Sequence, residues 1–121
     1  MKYTKDDIRK SMLLYAVTDR RWLKEGESLA EVCARALDKG VSFLQIREKD
    51  LEEESFEREA RALKALCGAY RVPFVVNDSV ELAIAIDADG AHVGQSDIKG
   101  RDIRKMLGED KILGISAGTV E

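Results

Sequence analysis

The stretch "FLQIREKD", Phe43–Asp50, closes an apolar run with Gln45, Arg47 and Lys49 at every second position. In an extended strand, residues two apart share a face. An amide, a guanidinium and an ammonium are therefore expected on one wall. Arg matches phosphate oxygens through its planar fork, and Lys does so as a point charge. Polar residues close three later apolar runs: Asn77 and Asp78 after "PFVV", Gly94, Gln95 and Asp97 within "HVGQSD", and Ser116 after "ILGI". Two cations and two carboxylates at one rim describe a site for a diphosphate bridged by Mg²⁺, an ion held by one or two carboxylates plus substrate phosphates.

Each piece alone has a plainer reading. An R-x-K pair can be a solvated strand end. Asn77 and Asp78 can cap the next helix, Gly94-Gln95 can be a turn, and Asp97 can be a loop or cap residue. Ser116 alone says nothing. His92 lies inside a strand pattern and reads as a hydrogen-bonded core histidine rather than a base. Tyr15 and Trp22 read as packing residues. Recurrence at successive strand ends sets the group apart.

Those ends need elements to hold them. "MLLYAVTD" (Met12–Asp19), "VSFLQIR" (Val41–Arg47), "PFVVN" after the strand-opening Pro73, "ADGAHVG" (Ala88–Gly94) and "KILGIS" (Lys111–Ser116) read as five strands. Helical patterns separate them. Leu29, Val32, Cys33, Ala36 and Leu37 fall on one helical face, with a capping box at Ser28 and Glu31 and Gly40 at the end. Phe56, Ala60, Leu63 and Cys67 make the stripe of a second helix whose Glu-rich first turn suits the dipole. Val80, Ala83 and Ile84 are expected on the inner side of a short third helix, and "KGRDIRKMLG" gives a fourth. Residues 1–12 are a lead-in segment. Five βα steps call for a parallel sheet covered by helices. A doubly wound sheet and a (β/α)₈ barrel both place chemistry at strand C-termini. Its spread over successive strands favours the barrel.

The chain has 121 residues, a net charge of −3 and 2 cysteines. That is one domain, without the basic excess that nucleic-acid binding requires. Cys33 and Cys67 sit among apolar residues and read as buried thiols. No apolar run reaches membrane-span length, and the charged N-terminus lacks a signal-peptide core. A cytoplasmic location, without membrane or nucleic-acid partners, is expected.

Taken together, "YAVTDR", "FLQIREKD", "PFVVND", "DGAHVGQSD" and "ILGIS" resemble the thiamine phosphate synthase family in order and spacing, from about Leu13 to Glu121. The resemblance implies a (β/α)₈ barrel of TIM type that joins hydroxymethylpyrimidine diphosphate to thiazole phosphate and releases pyrophosphate. It implies that Gln45, Arg47, Lys49 and Asn77 contact the pyrimidine diphosphate, that Asp78 and Asp97 hold Mg²⁺, and that Ser116 binds near pyrimidine and diphosphate. The family's chemistry is dissociative and uses no side-chain nucleophile. Arg47 and Lys49 would stabilise the leaving group.

The family's glycine-rich later strands have no counterpart in these residues. Residues 1–121 are therefore expected to be the N-terminal portion of a barrel, about the first five βα units, incomplete for catalysis when isolated. A half-barrel leaves unpaired edges and an open apolar face, so self-association is expected. Two other readings are a thiazole tautomerase-like paralogue, which has no need of the Arg, Lys and paired-Asp set, and a non-catalytic anion-binding half-barrel.

Overall fold

A computed structural model describes residues 3–19, 23–48, 52–94 and 102–116. Five strands form one sheet: β1 Tyr15–Val17, β2 Phe43–Ile46, β3 Phe74–Asn77, β4 Gly90–Val93 and β5 Ile112–Ile115. They lie side by side in chain order, every neighbouring pair parallel. Helices α2 Leu29–Asp38, α3 Glu53–Tyr70, α4 Val80–Ala85 and α5 Ile103–Leu107 alternate with them. A doubly wound sheet reverses strand order at a switch point and carries helices on both faces. Here the order never reverses, and α2 to α5 all pack on one face.

That face holds the larger core. Leu44, Ile46, Phe74, Val76, Ala91 and Val93 from the strands meet Leu29, Cys33 and Leu37 of α2, Ala60, Leu63 and Cys67 of α3, Val80 and Ala83 of α4, and Ile103 and Leu107 of α5. Each fully buried aliphatic side chain of this kind contributes about 1.5–3 kcal/mol against exposure. The pairing Val17↔Gln45↔Val75 and Asn77↔His92↔Gly114 fixes what the other face carries. By alternation it receives Tyr15, Val17, Phe43, Gln45, Val75, Asn77, His92, Ile112 and Gly114. At the strand starts, this second face is closed by a small cluster of Phe43, Val75 and Ile112 with Tyr3, Ile8 and Tyr15.

Tyr3 and Ile8 belong to a segment expected only as a lead-in. Lys5–Ser11 form helix α1, begun by a capping box in which Thr4 Oγ1 accepts from the Asp7 N–H and the Asp7 carboxylate accepts from the Thr4 N–H. Those hydrogen bonds hold the Asp7 carboxyl below its usual range. Three further expectations are corrected. The first strand is shorter than Met12–Asp19, because Met12–Leu14 form a 3₁₀ turn in which Leu13 is 90% exposed. The other strands are also shorter than their patterns, Phe43–Ile46, Phe74–Asn77, Gly90–Val93 and Ile112–Ile115, with only single backbone hydrogen bonds continuing past their ends. Ile84 faces outward, and the inner side of α4 is Val80 and Ala83 with Ile86 just beyond. The helix within "KGRDIRKMLG" is as expected, running Ile103–Leu107 with Asp102 as its N-cap and Gly108 closing it.

The capping box of Ser28 and Glu31 and the buried stripe of α2 are as expected. Ala60, Leu63 and Cys67 are buried on α3, with Phe56 partly covered. Both cysteines are buried thiols. Among the described residues no helix is long and apolar enough to cross a membrane.

Candidate functional site

The face opposite α2 to α5 forms a concavity of about 770 Å³, bordered by Lys5 and Ile8 of α1, its upper wall built by Val17, Gln45, Arg47, Asn77, His92 and Ser116. Two hydrogen-bonded groups line it. In the first, Gln45 donates from Nε2 to the Tyr15 hydroxyl and accepts at Oε1 from Asn77 Nδ2, both at 2.8 Å. Gln45 is only 4% exposed, so both ends of its amide are committed. Tyr15 stacks on Phe43 with ring centroids 4.3 Å apart. Burial pushes the Tyr15 hydroxyl pKa up, and the Gln45 bond opposes this in part. The phenol stays protonated at neutral pH and keeps a proton to donate. Tyr15 therefore packs, as expected, but it also orients Gln45.

In the second group, His92 Nε2 and Ser116 Oγ lie 2.8 Å apart. His92 is hydrogen-bonded, as the sequence suggests, but it is partly exposed on the concave face rather than sealed in the core. The Ser116 N–H donates to the Val93 carbonyl, extending the β4–β5 ladder by one residue.

Arg47 lines the concavity just beyond the end of β2. Its backbone N–H donates to Thr18 Oγ1 at 2.9 Å, and the Thr18 N–H donates to the Gln45 carbonyl. Thr18, 2% exposed, thus locks the ends of β1 and β2 together. Within "YAVTDR" its one signal is a polar β-branched residue ending a strand.

Asp78 follows β3 in the left-handed region, φ 66°. Its N–H donates to the His92 carbonyl at 2.8 Å. It lines a smaller recess of about 400 Å³ with Glu48, Phe56, Asn77, Ser79 and Glu81. Asn77 borders both spaces, so Arg47 and Asp78 lie at the same end of adjacent strands. The capping reading of Asn77 and Asp78 is corrected: Ser79 caps α4, its Oγ accepting from the Leu82 N–H. Lys49 and Asp97, with Gln95 and Trp22, lie outside the described residues. Among the described residues, no three His, Cys, Asp or Glu side chains cluster to hold a metal.

The arrangement offers fixed amides, a phenol, a hydroxyl and a guanidinium around one open space, beside a carboxylate. It can bind and orient an anionic, hydrogen-bonding ligand, and no activated nucleophile is evident among these groups. Residues 14–121 match a family model described as thiamine monophosphate synthase. The chain is 43% identical over 117 residues to thiamine-phosphate synthase of Clostridioides difficile, covering 97% of this chain and 55% of that protein. It is 45% identical over 118 residues to the thiamine biosynthetic bifunctional enzyme of Saccharomyces cerevisiae, covering 98% and 22%. Among solved structures, thiamine phosphate pyrophosphorylase from Pyrococcus furiosus matches with a TM-score of 0.76 at 28% identity, over 91% of this chain and 52% of that one. The chain thus spans about half the length of the clostridial and archaeal relatives, and less of the yeast enzyme.

Proposed function

We infer the function of this chain from the family to which it belongs, thiamine monophosphate synthase: it holds the pyrimidine diphosphate half of a thiamine phosphate synthase site. In this reading the sheet is the first part of a (β/α)₈ barrel, residues 1–121 its N-terminal portion. The observation that carries it is the meeting of Gln45, Arg47, Asn77, His92 and Ser116 around one concavity at the strand C-termini, where barrel enzymes keep their chemistry.

The reaction couples hydroxymethylpyrimidine diphosphate to thiazole phosphate. The C–O bond to the diphosphate breaks, and its electron pair leaves with pyrophosphate. The aminopyrimidine ring carries the resulting cation until the thiazole nitrogen captures it. Arg47 faces the departing oxygens and stabilises their charge, a role in which Lys49 would join it. The Gln45–Asn77 pair, its polarity fixed by Tyr15, orients the pyrimidine. Ser116 donates a hydrogen bond where pyrimidine meets diphosphate. Asp78 supplies the hard carboxylate oxygens that suit Mg²⁺, and with Asp97 it would hold that ion. When bound, Mg²⁺ adds Lewis-acid neutralisation of the diphosphate. The thiazole phosphate is assigned to the part of the relatives' length beyond the stretch matched here.

Calorimetry of the chain with pyrophosphate, with and without Mg²⁺, tests this reading. Mg²⁺-dependent binding is expected, weakened by about tenfold or more in Arg47→Ala, as befits loss of a charged hydrogen bond. No binding in either condition refutes it. The same reading makes the open face, with β1 and β5 as edges among the described residues, a surface that pairs with a second copy. Light scattering should then show a concentration-dependent increase in mass, and a strict monomer at high concentration counts against that pairing.

A further inference from the structure

Strand β5 carries a glycine at its third position, Gly114, where strands favour β-branched or aromatic residues. A glycine inside a strand weakens it and often marks a close approach. The approach here is by His92. The two residues are register partners across β4 and β5. A Cβ on Gly114 would stand 2.4 Å from His92 Nδ1 and 3.3 Å from Cε1 and Cγ. The imidazole therefore lies over the β5 backbone, in the space a side chain would fill. From that seat its Nε2 reaches Ser116 Oγ at 2.8 Å.

A neutral imidazole has one N–H and one lone pair, and its partners decide which nitrogen carries which. Nδ1 lies 2.4 Å from the position a Cβ would take on Gly114, the side on which the glycine carries a Cα–H instead. A Cα–H can be met by a lone pair but is repelled by an N–H. That leaves the proton on Nε2. We propose that the Gly114 seat holds His92 as its Nε2–H tautomer, donating to Ser116 Oγ, so that the serine hydroxyl turns its own proton toward a phosphate oxygen in the concavity. A phosphate offers acceptors only, so a serine that spent its proton on histidine would meet it lone pair to lone pair. His92 is a positioning residue in this arrangement, and Ser116 makes the contact. The proposal rests on the reading that a diphosphate occupies the concavity.

His92 is the single histidine of the chain, so its imidazole ¹⁵N resonances need no assignment. At mildly alkaline pH, Nε2 is expected to be of the protonated type and Nδ1 of the lone-pair type. Ser116→Ala should shift Nε2, and Gly114→Ala should displace both signals. A protonated Nδ1, or an Nε2 signal that Ser116→Ala leaves in place, overturns the proposal. Ser116→Ala carries this arm alone should Gly114→Ala not fold.

The ligand arm uses Mg²⁺ and pyrophosphate. His92→Phe fills the seat without a donor and should weaken binding by about tenfold. His92→Gln, whose amide nitrogen can donate, should restore most of that loss. Equal affinity of His92→Phe and the unsubstituted chain overturns the positioning role alone. No binding by the unsubstituted chain overturns the diphosphate reading and the ligand part of the proposal with it, while the tautomer is judged by its resonances.

Discussion

Replacing Gln45 by Leu should separate stability from recognition. The wild-type amide makes two hydrogen bonds of 2.8 Å, to Tyr15 and from Asn77. At about 1 kcal/mol net each, their loss costs about 2 kcal/mol. The partners left behind line an open concavity of about 770 Å³, where water can replace the lost amide. The further penalty for stranding buried polar groups, about 1–3 kcal/mol, is therefore largely avoided. Leucine fills nearly the same volume at a position only 4% exposed and returns about 1–2 kcal/mol of apolar burial. The net change is a destabilisation of about 1 kcal/mol or less, a few degrees in the melting temperature of a chain this size. On the function proposed above, affinity for hydroxymethylpyrimidine diphosphate should still fall by about tenfold, the value of about 1.4 kcal/mol of ligand hydrogen bonding lost with the amide and the Asn77 side chain it orients.

Gln45→Glu sharpens the test. Its carboxylate can accept from both the Tyr15 hydroxyl and the Asn77 amide, so the fold keeps its bonds. A negative charge about 6 Å from a phosphate, at an effective dielectric of about 20, repels it by about 3 kcal/mol. That is a loss of roughly a hundredfold. Circular dichroism melts and calorimetry on the three chains read both quantities. The reasoning fails if Leu costs more than about 3 kcal/mol of stability, or if either variant binds like the wild type.

Two further outcomes concern the scaffold. A Cβ on Gly90 would stand 2.0 Å from the Ile112 carbonyl oxygen, so Gly90→Ala must force β4 from β5 and should cost about 2 kcal/mol or more in urea denaturation. Gly68→Ala is the control: it sits within α3 with nothing within 4 Å of the added atom, and should stabilise by about 0.5–1 kcal/mol. Similar effects at the two sites would contradict the close-approach argument. Burial, aided by the charges of Glu48 and Glu59, pushes the Cys33 thiol up to about 11. Burial likewise pushes Cys67 up to about 12. The fold thus prefers the neutral thiols. Their contribution is complete below the ordinary thiol value of 9.0, and it is lost as pH rises toward about 11 and 12 because the unfolded chain ionises first. Stability should fall across that window, less steeply in a Cys33→Ala, Cys67→Ala double variant. An identical slope in both chains would refute the assignment.

The elements most legible in the sequence were those in which local and tertiary signals agree. In α2, the Ser28–Glu31 capping box and the Leu29–Cys33–Leu37 stripe specify the same helix and the same buried face. Where they part, pattern misleads. Met12, Leu13 and Leu14 look like strand, yet they precede the first ladder partner, Tyr15, and wind into a 3₁₀ turn that meets the next segment only at Leu14, whose carbonyl accepts from the Ser42 N–H. Ile84 continues an apolar spacing, but a helix of six residues has too narrow a contact to bury it. Helix α1 was announced by Thr4 and Asp7, three apart, in a segment too polar to look structural. At the site, the shared face of Gln45 and Arg47 follows from a period of two and was readable, as was the place of Asn77 and Ser116 at strand ends. The pairs Gln45–Tyr15 and His92–Ser116 depend on strand register, which a single sequence does not encode locally. Gly114 was readable only as a weak strand residue until its partner across the ladder was known.

The backbone at Asp78 sets two selective demands against each other. A left-handed φ at a non-glycine residue costs roughly 1–2 kcal/mol, and of the L-residues asparagine and aspartate tolerate it best. A search for heat-resistant variants would tend to install glycine there and relax the strand's exit. It would do so by deleting the carboxylate that, in the function proposed above, gives the position its use. Residue 78 is thus a place where directed evolution for robustness and for turnover should diverge.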